Sequence, residues 1–337
     1  MNRWPRRLAL LLAFLTFPLI WVGGLVTTTD SGMAVPDWPT TYGFNMFLYP
    51  WTTWILGPWD LFIEHGHRLL ASLTGMVTVV LVVVVCRQEP RSWMRKLVIL
   101  ALVAVIAQGI LGGVRVRLND VTLAMIHGCT GPAFFVLTAV IALAYTTFWQ
   151  APVGDTVTAG YDLMKQLAAP LRLARITTSL VYLQLVLGAM IRHIPVTAKA
   201  QTFSVLVVFH IGMAMAVMMH MALLAVSLRK RRESIGNATR GGSILVLLVV
   251  AQIFLGVGAW VLQYGWPVSL GENQTFGPGL VVAQGWWQSH IVTGHVAMGS
   301  LILVMTALIT ARLTRLEFWV KQENDQTDEV NTANGLT

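Results

Sequence analysis

Eight apolar runs, each close to the roughly 20 residues a helix needs to cross hydrocarbon, constrain this chain more than any other feature. They lie near 8–28, 61–86, 97–115, 121–148, 173–192, 203–228, 242–264 and 287–313. Hydrocarbon offers no water to the backbone, so such a run folds as a helix whose amides bond within the segment. Of the 337 residues 55% are hydrophobic and only 11% charged, which excludes a water-exposed domain of this size. The expected fold is an all-α integral membrane protein with eight transmembrane helices, surrounded by lipid bilayer.

Orientation follows from Lys and Arg, which are retained on the cytoplasmic side during insertion. The N-terminus, RQEPRSWMRK, the 149–172 segment, RKRRESIGNATR and the C-terminal end from Arg312 hold seventeen of them, and the opposite loops hold four: Arg115, Arg117, Arg192 and Lys199. Both termini are therefore expected in the cytoplasm, and the net charge of +8 reflects topology rather than nucleic-acid binding. The basic start followed by a long apolar run reads as a retained first helix. Cys86 and Cys129 lack disulfide or metal-ligand spacing and read as packing residues.

The odd-numbered runs carry related glycine patches near their outer ends: WVGGLVTTT, GILGGVRVR, LVLGAMIRH and IFLGVGAWV. Small residues there allow close helix approach. The even-numbered runs each hold a histidine, His67, His127, His210 and His295, six to eight residues inside the outer end. At 1.5 Å per residue all four imidazoles lie about 10 Å deep. The chain reads as two pseudo-repeated four-helix bundles, 1–148 and 173–313, joined by a cytoplasmic linker, 149–172, and followed by a cytoplasmic tail, 314–337, whose polar end, KQENDQTDEVNTANGLT, reads as unstructured.

Ionisable groups inside a membrane are costly and point to function, although a helix-to-helix hydrogen bond is the plainer reading of any single histidine. Four at one depth, two per half, suggest paired axial ligands to haem iron, whereas zinc would need further ligands. His65 is turned about 200° from His67 and faces elsewhere. His193, His220 and His290 read as interfacial or packing residues, with His290 the competitor to His295. Glu64 lies one turn before His67 on the same helix face, and Arg68 one turn after Glu64, placed to pair with it or with a haem propionate. A carboxylate there can act as acid, base or stabiliser of a cation, or simply cap the helix. The second half has no matching acid, since His210 is flanked by Phe209 and Ile211. That asymmetry suggests one working site and one cofactor site.

At these residues the sequence resembles the haem A synthase family. EHGHR (64–68) is similar to its Glu-x-x-His-Arg motif, TDSGMAVPDWPTTYG (29–43) to its first outer loop, and GILGGVRVR, IHGCTGP and TGHVAMGSLIL also fit. The resemblance implies an enzyme of the bacterial cell inner membrane that oxidises the C8 methyl of haem O to the formyl group of haem A for cytochrome oxidase. His67 and His127 would bracket the substrate haem, Glu64 would act in the oxidation, and His210 and His295 would ligate haem b. A haem O synthase would be the upstream partner, with the electron donor unassigned. Many bacterial members carry a cysteine pair in the first outer loop, and the matching positions here are Val35 and Thr41. The competing readings are a di-haem b-type electron-transfer cytochrome, which needs the four histidines but not Glu64, and a transporter or haem-handling protein.

Overall fold

The computed structural model describes residues 3–150, 160–195, 197–236, 241–264 and 285–333. Eight long helices run through them: α1 (Arg3–Thr28), α2 (Trp59–Gln88), α3 (Ser92–Leu118), α4 (Val121–Leu143), α5 (Gly160–Arg192), α6 (Ala200–Lys230), α7 (Gly242–Tyr264) and α8 (Trp286–Ala333). All eight are long and apolar enough to cross a membrane, and the chain is a multi-pass membrane protein. The described residues contain no β-strand beyond one isolated bridge between Thr41 and Phe44.

Local sequence accounts for the tightest connection. Asn119 closes α3 in the left-handed conformation, φ 47°, which Asn tolerates better than most residues. Asp120 then caps α4 by accepting a hydrogen bond from the Leu123 N–H at 2.8 Å. Two residues thus reverse the chain and set the end of α3 beside the start of α4. The end of the bundle where this turn lies also carries the 29–58 segment and is called the loop end below.

Packing follows two groups of four. The helices α1 to α4 pack on one another, as do α5 to α8, while α8 also meets α1 and α4, and α5 meets α4. One apolar cluster joins Leu12, Leu81, Met94, Val98 and Ile141, and another joins Leu171, Met221, Leu224, Leu245 and Ile309. Both clusters sit away from the loop end. Across the seam Thr28 and Thr293 share a hydrogen bond at 3.1 Å, and Arg192 donates to the Gly24 carbonyl at 2.6 Å and to the Thr28 hydroxyl. Large apolar side chains such as Phe14, Val80, Ile106, Val208 and Phe254 remain exposed, as lipid-facing positions do.

Helix ends differ from the sequence expectation in three places. Residues 160–172, read as linker, belong to α5, while 151–159 lie outside the described residues. The helix α4 stops at Leu143, and Thr147–Gln150 forms a separate short turn of helix. The stretch 314–333, read as tail and from Lys321 on as unstructured, continues α8. A helix nucleated in the bilayer propagates cheaply into polar sequence, and this stretch contains neither Gly nor Pro.

Candidate functional site

The four deep histidines come together as two pairs in the loop-end half of the bundle. His67 on α2 and His127 on α4 have ring centroids 6.5 Å apart at an interplanar angle of 90°. His210 on α6 and His295 on α8 stand 6.3 Å apart at 68°. Metal–imidazole bonds of about 2 Å on both sides of one iron place two ring centroids about 6 Å apart. Both pairs therefore fit an axially ligated haem. Among the described residues Nδ1 of His67 and His210 has no hydrogen-bond partner, whereas Nδ1 of His295 lies 3.2 Å from the Gln252 carbonyl, a bond that directs the Nε2 lone pair to a metal. No three His, Cys, Asp or Glu side chains converge among the described residues, so neither pair offers zinc its further ligands.

Glycines seat all four rings. A methyl group added to Gly23, Gly112, Gly188 or Gly256 would fall 2.9, 3.2, 3.2 or 2.9 Å from Cε1 of His67, His127, His210 or His295, respectively. In each case the glycine of an odd-numbered helix lies against the imidazole of the next helix. The sequence patches read as general helix contacts are thus specific places for four rings. One turn inside three of these glycines stands a glutamine, in QGILG, QLVLG and QIFLG. The Gln184 amide nitrogen is 3.0 Å from the His210 carbonyl and 3.2 Å from its Nε2, a contact that ligation at Nε2 would displace. Sequence reasoning missed these glutamines, although extending the glycine patches by one turn reveals them.

Glu64 is buried at 1% exposure and held at both oxygens. Oε2 accepts from the Val35 N–H at 2.8 Å, and Oε1 pairs with Arg68 at 2.7 Å. Arg68 also donates to the carbonyls of Val35, Asp37 and Thr40 at 2.6, 2.7 and 3.1 Å. Arg68 forms the ion pair with Glu64, one of the two roles open to it from sequence, and the rest of its guanidinium clasps the loop. The positions that correspond to the cysteine pair join the same clasp. Val35 meets Glu64 and Arg68, and Thr41 Oγ1 lies 3.1 Å from His65 Nδ1. His65 turns away from His67 into a box closed by Tyr49 and Trp54, at centroid distances of 5.1 and 5.4 Å. Within the loop, burial alone would raise the Asp37 carboxyl. Hydrogen bonds from the Gly43 N–H, the Thr40 hydroxyl and the Tyr42 N–H outweigh it and hold the group below its ordinary 3.8.

His290 and His220 keep apart from the pairs, whereas His193 lies beside the first. His290 stacks against Trp21 at 6.2 Å and meets Trp286 edge-on at 4.2 Å, so His295, not His290, faces His210. His220 Nδ1 lies 2.9 Å from the Ala216 carbonyl, one turn back on its own helix. His193 follows α5 and approaches Gly128 next to His127. Desolvation, then the charge of the adjacent Arg192, pushes its pKa down to about 4.

A family profile described as "Cytochrome oxidase assembly protein" matches residues 6–52 and 59–207. The match takes in Glu64, His67, Arg68 and His127 and ends three residues before His210. No curated protein matches the chain.

Proposed function

The chain belongs to the cytochrome oxidase assembly protein family, and from that membership we propose that it is a haem A synthase. It oxidises the C8 methyl of haem O to a formyl group by two successive hydroxylations and loss of water, giving haem A for cytochrome oxidase. In this reading His67 and His127 bracket the substrate haem, and His210 and His295 hold a haem b. Bound there, haem b supplies one-electron transfer toward the substrate site. A haem O synthase delivers the substrate, and each hydroxylation consumes dioxygen and two electrons from a separate donor, one oxygen atom entering the C–H bond and the other leaving as water. The enzyme sits in the bacterial cell inner membrane with both termini cytoplasmic, the side to which the Lys and Arg count assigns them.

The observation that carries the reading is the asymmetry between two otherwise similar imidazole pairs. Centroid separations of 6.5 and 6.3 Å suit the same kind of ligation, yet only the first pair has a carboxylate one helical turn away. The Val35 N–H and Arg68 fix both oxygens of Glu64, so the group cannot swing away from the site. The loop from Val35 to Thr41 keeps bulk water from it. A preorientated carboxylate in a dry setting stabilises positive charge developing on a neighbouring substrate carbon, or takes a proton from it. His67, one turn on, sets the substrate plane relative to that carboxylate. A di-haem electron-transfer cytochrome would share the paired geometry but has no use for Glu64.

The test is extraction and chromatography of haems from protein purified after co-expression with a haem O synthase. Haem A or a hydroxylated haem O beside haem b is expected, and haem b alone would favour the electron-transfer cytochrome. Glu64→Gln, which keeps a side chain able to reach Val35 and Arg68, is expected to retain haem b and to lower haem A formation about a hundredfold or more. Unchanged haem A output would remove the catalytic role.

A further inference from the structure

Arg115 forms no hydrogen bond or ion pair among the described residues, and the carboxylate in its electrostatic range, Glu64, is held by others. It lies in the last turn of α3, three residues beyond the glycine that seats His127. Its guanidinium lies under the loop, where a methyl on Gly32 would come within 2.6 Å of Nη1. It stands within electrostatic range of Glu64, His67 and His127. Among the described residues no acceptor and no carboxylate pairs with it.

The neighbouring charges are already committed. Glu64 is taken by Arg68 and Val35, Arg68 by Glu64 and three loop carbonyls, and Arg192 by Gly24 and Thr28. Asp37 is turned into its own loop, and Asp120 caps α4. A partly buried guanidinium without an anion is unfavourable, and its planar fork matches a carboxylate. We propose that Arg115 is the carboxylate anchor of the His67–His127 site and takes a propionate of the porphyrin bound there. This rests on the haem reading of that site. It moves the anchoring role from Arg68, for which helical spacing left a propionate or a Glu64 ion pair open, to a residue of the neighbouring helix, and it directs the propionate edge of the substrate toward the loop.

The test uses the full-length protein produced without a haem O source. It is titrated with iron protoporphyrin IX and with the dimethyl ester, following the absorbance change of imidazole ligation. Wild type is expected to favour the free acid by about tenfold or more, the scale of a charge-assisted hydrogen bond. Arg115→Gln should lose that preference while still ligating both porphyrins, and Arg115→Lys should keep part of it. Retained haem b between His210 and His295 is the folding control. If Arg115→Gln fails that control, Gly32→Ala, which crowds the guanidinium, replaces it with the same expectation. A wild-type preference that survives in the variant overturns the anchor. A helix-end arginine can instead meet a lipid phosphate. Stabilisation by phosphatidylglycerol that Arg115→Gln abolishes, with no discrimination between the porphyrins, would assign the charge to the bilayer and overturn the proposal. If neither porphyrin ligates in wild type, the haem reading of the site fails as well.

Discussion

The two imidazole pairs share a seat and differ in their surroundings. Each ring rests against a glycine of the preceding long helix, and each pair has nearly the same centroid spacing. Around His67 and His127, however, stand Glu64, Arg68 and Arg115 beneath a clasped loop. Beside His210 stands the side-chain amide of Gln184, and beside His295 the backbone carbonyl of Gln252. Holding a flat, ligated group thus needs only glycine and histidine, repeated four times. Chemistry on such a group needs charges, and a carboxylate stands only beside the first pair among the described residues, while Arg192 is the one arginine that reaches His295 electrostatically.

The strongest way to break this comparison is to remove a ring. His295→Ala is expected to cost most of the bound haem b, a drop of tenfold or more, whereas His67→Ala should leave haem b in place, because the pairs sit in different helix groups. Haem content of the two purified variants decides it, and equal loss from both would mean that the sites are not separable. A smaller effect is expected at the seats. Gly256→Ala and Gly23→Ala each force a methyl to within 2.9 Å of a ring carbon, an overpacking of about 1–3 kcal/mol. Gly131→Ala meets nothing within 4 Å and should stay within about 0.5 kcal/mol of wild type. Thermal stability, together with the haem b absorbance for the Gly256 variant, reads both. A silent Gly256→Ala would show that the glycines are ordinary helix contacts.

The smallest effect concerns the loop over the first pair. Asp37 is held below its ordinary 3.8, so its contribution is complete above that value and is lost as pH falls through the lower folded value. Protease nicking of the loop should therefore accelerate only below about pH 4, and Asp37→Asn should nick at a rate that changes little across that range. Acceleration already at neutral pH would mean that Asp37 does not hold the loop.

Much of this was legible in the residues themselves. The eight helices follow from run length, since hydrocarbon leaves the backbone no other way to satisfy its amides. The Glu64–Arg68 pair follows from helical spacing, and so does the turning of His65 away from His67. The helical continuation of α8 past Gln322 was misread, because polar composition was weighed above the absence of Gly and Pro. The destination of the loop was not readable, since nothing local says that Val35 offers its N–H to Glu64 or that Arg68 collects three carbonyls.

By itself the sequence determined the number of helices, the common depth of four histidines and the presence of one acid among them, because these depend on periodicity and on the cost of charge in lipid. Only the tertiary structure decided which glycine seats which ring, which histidine faces His210, and which arginine forms no ion pair among the described residues. Those outcomes depend on contacts between helices distant in the chain, and the same side chains would satisfy many other pairings if packing did not choose among them.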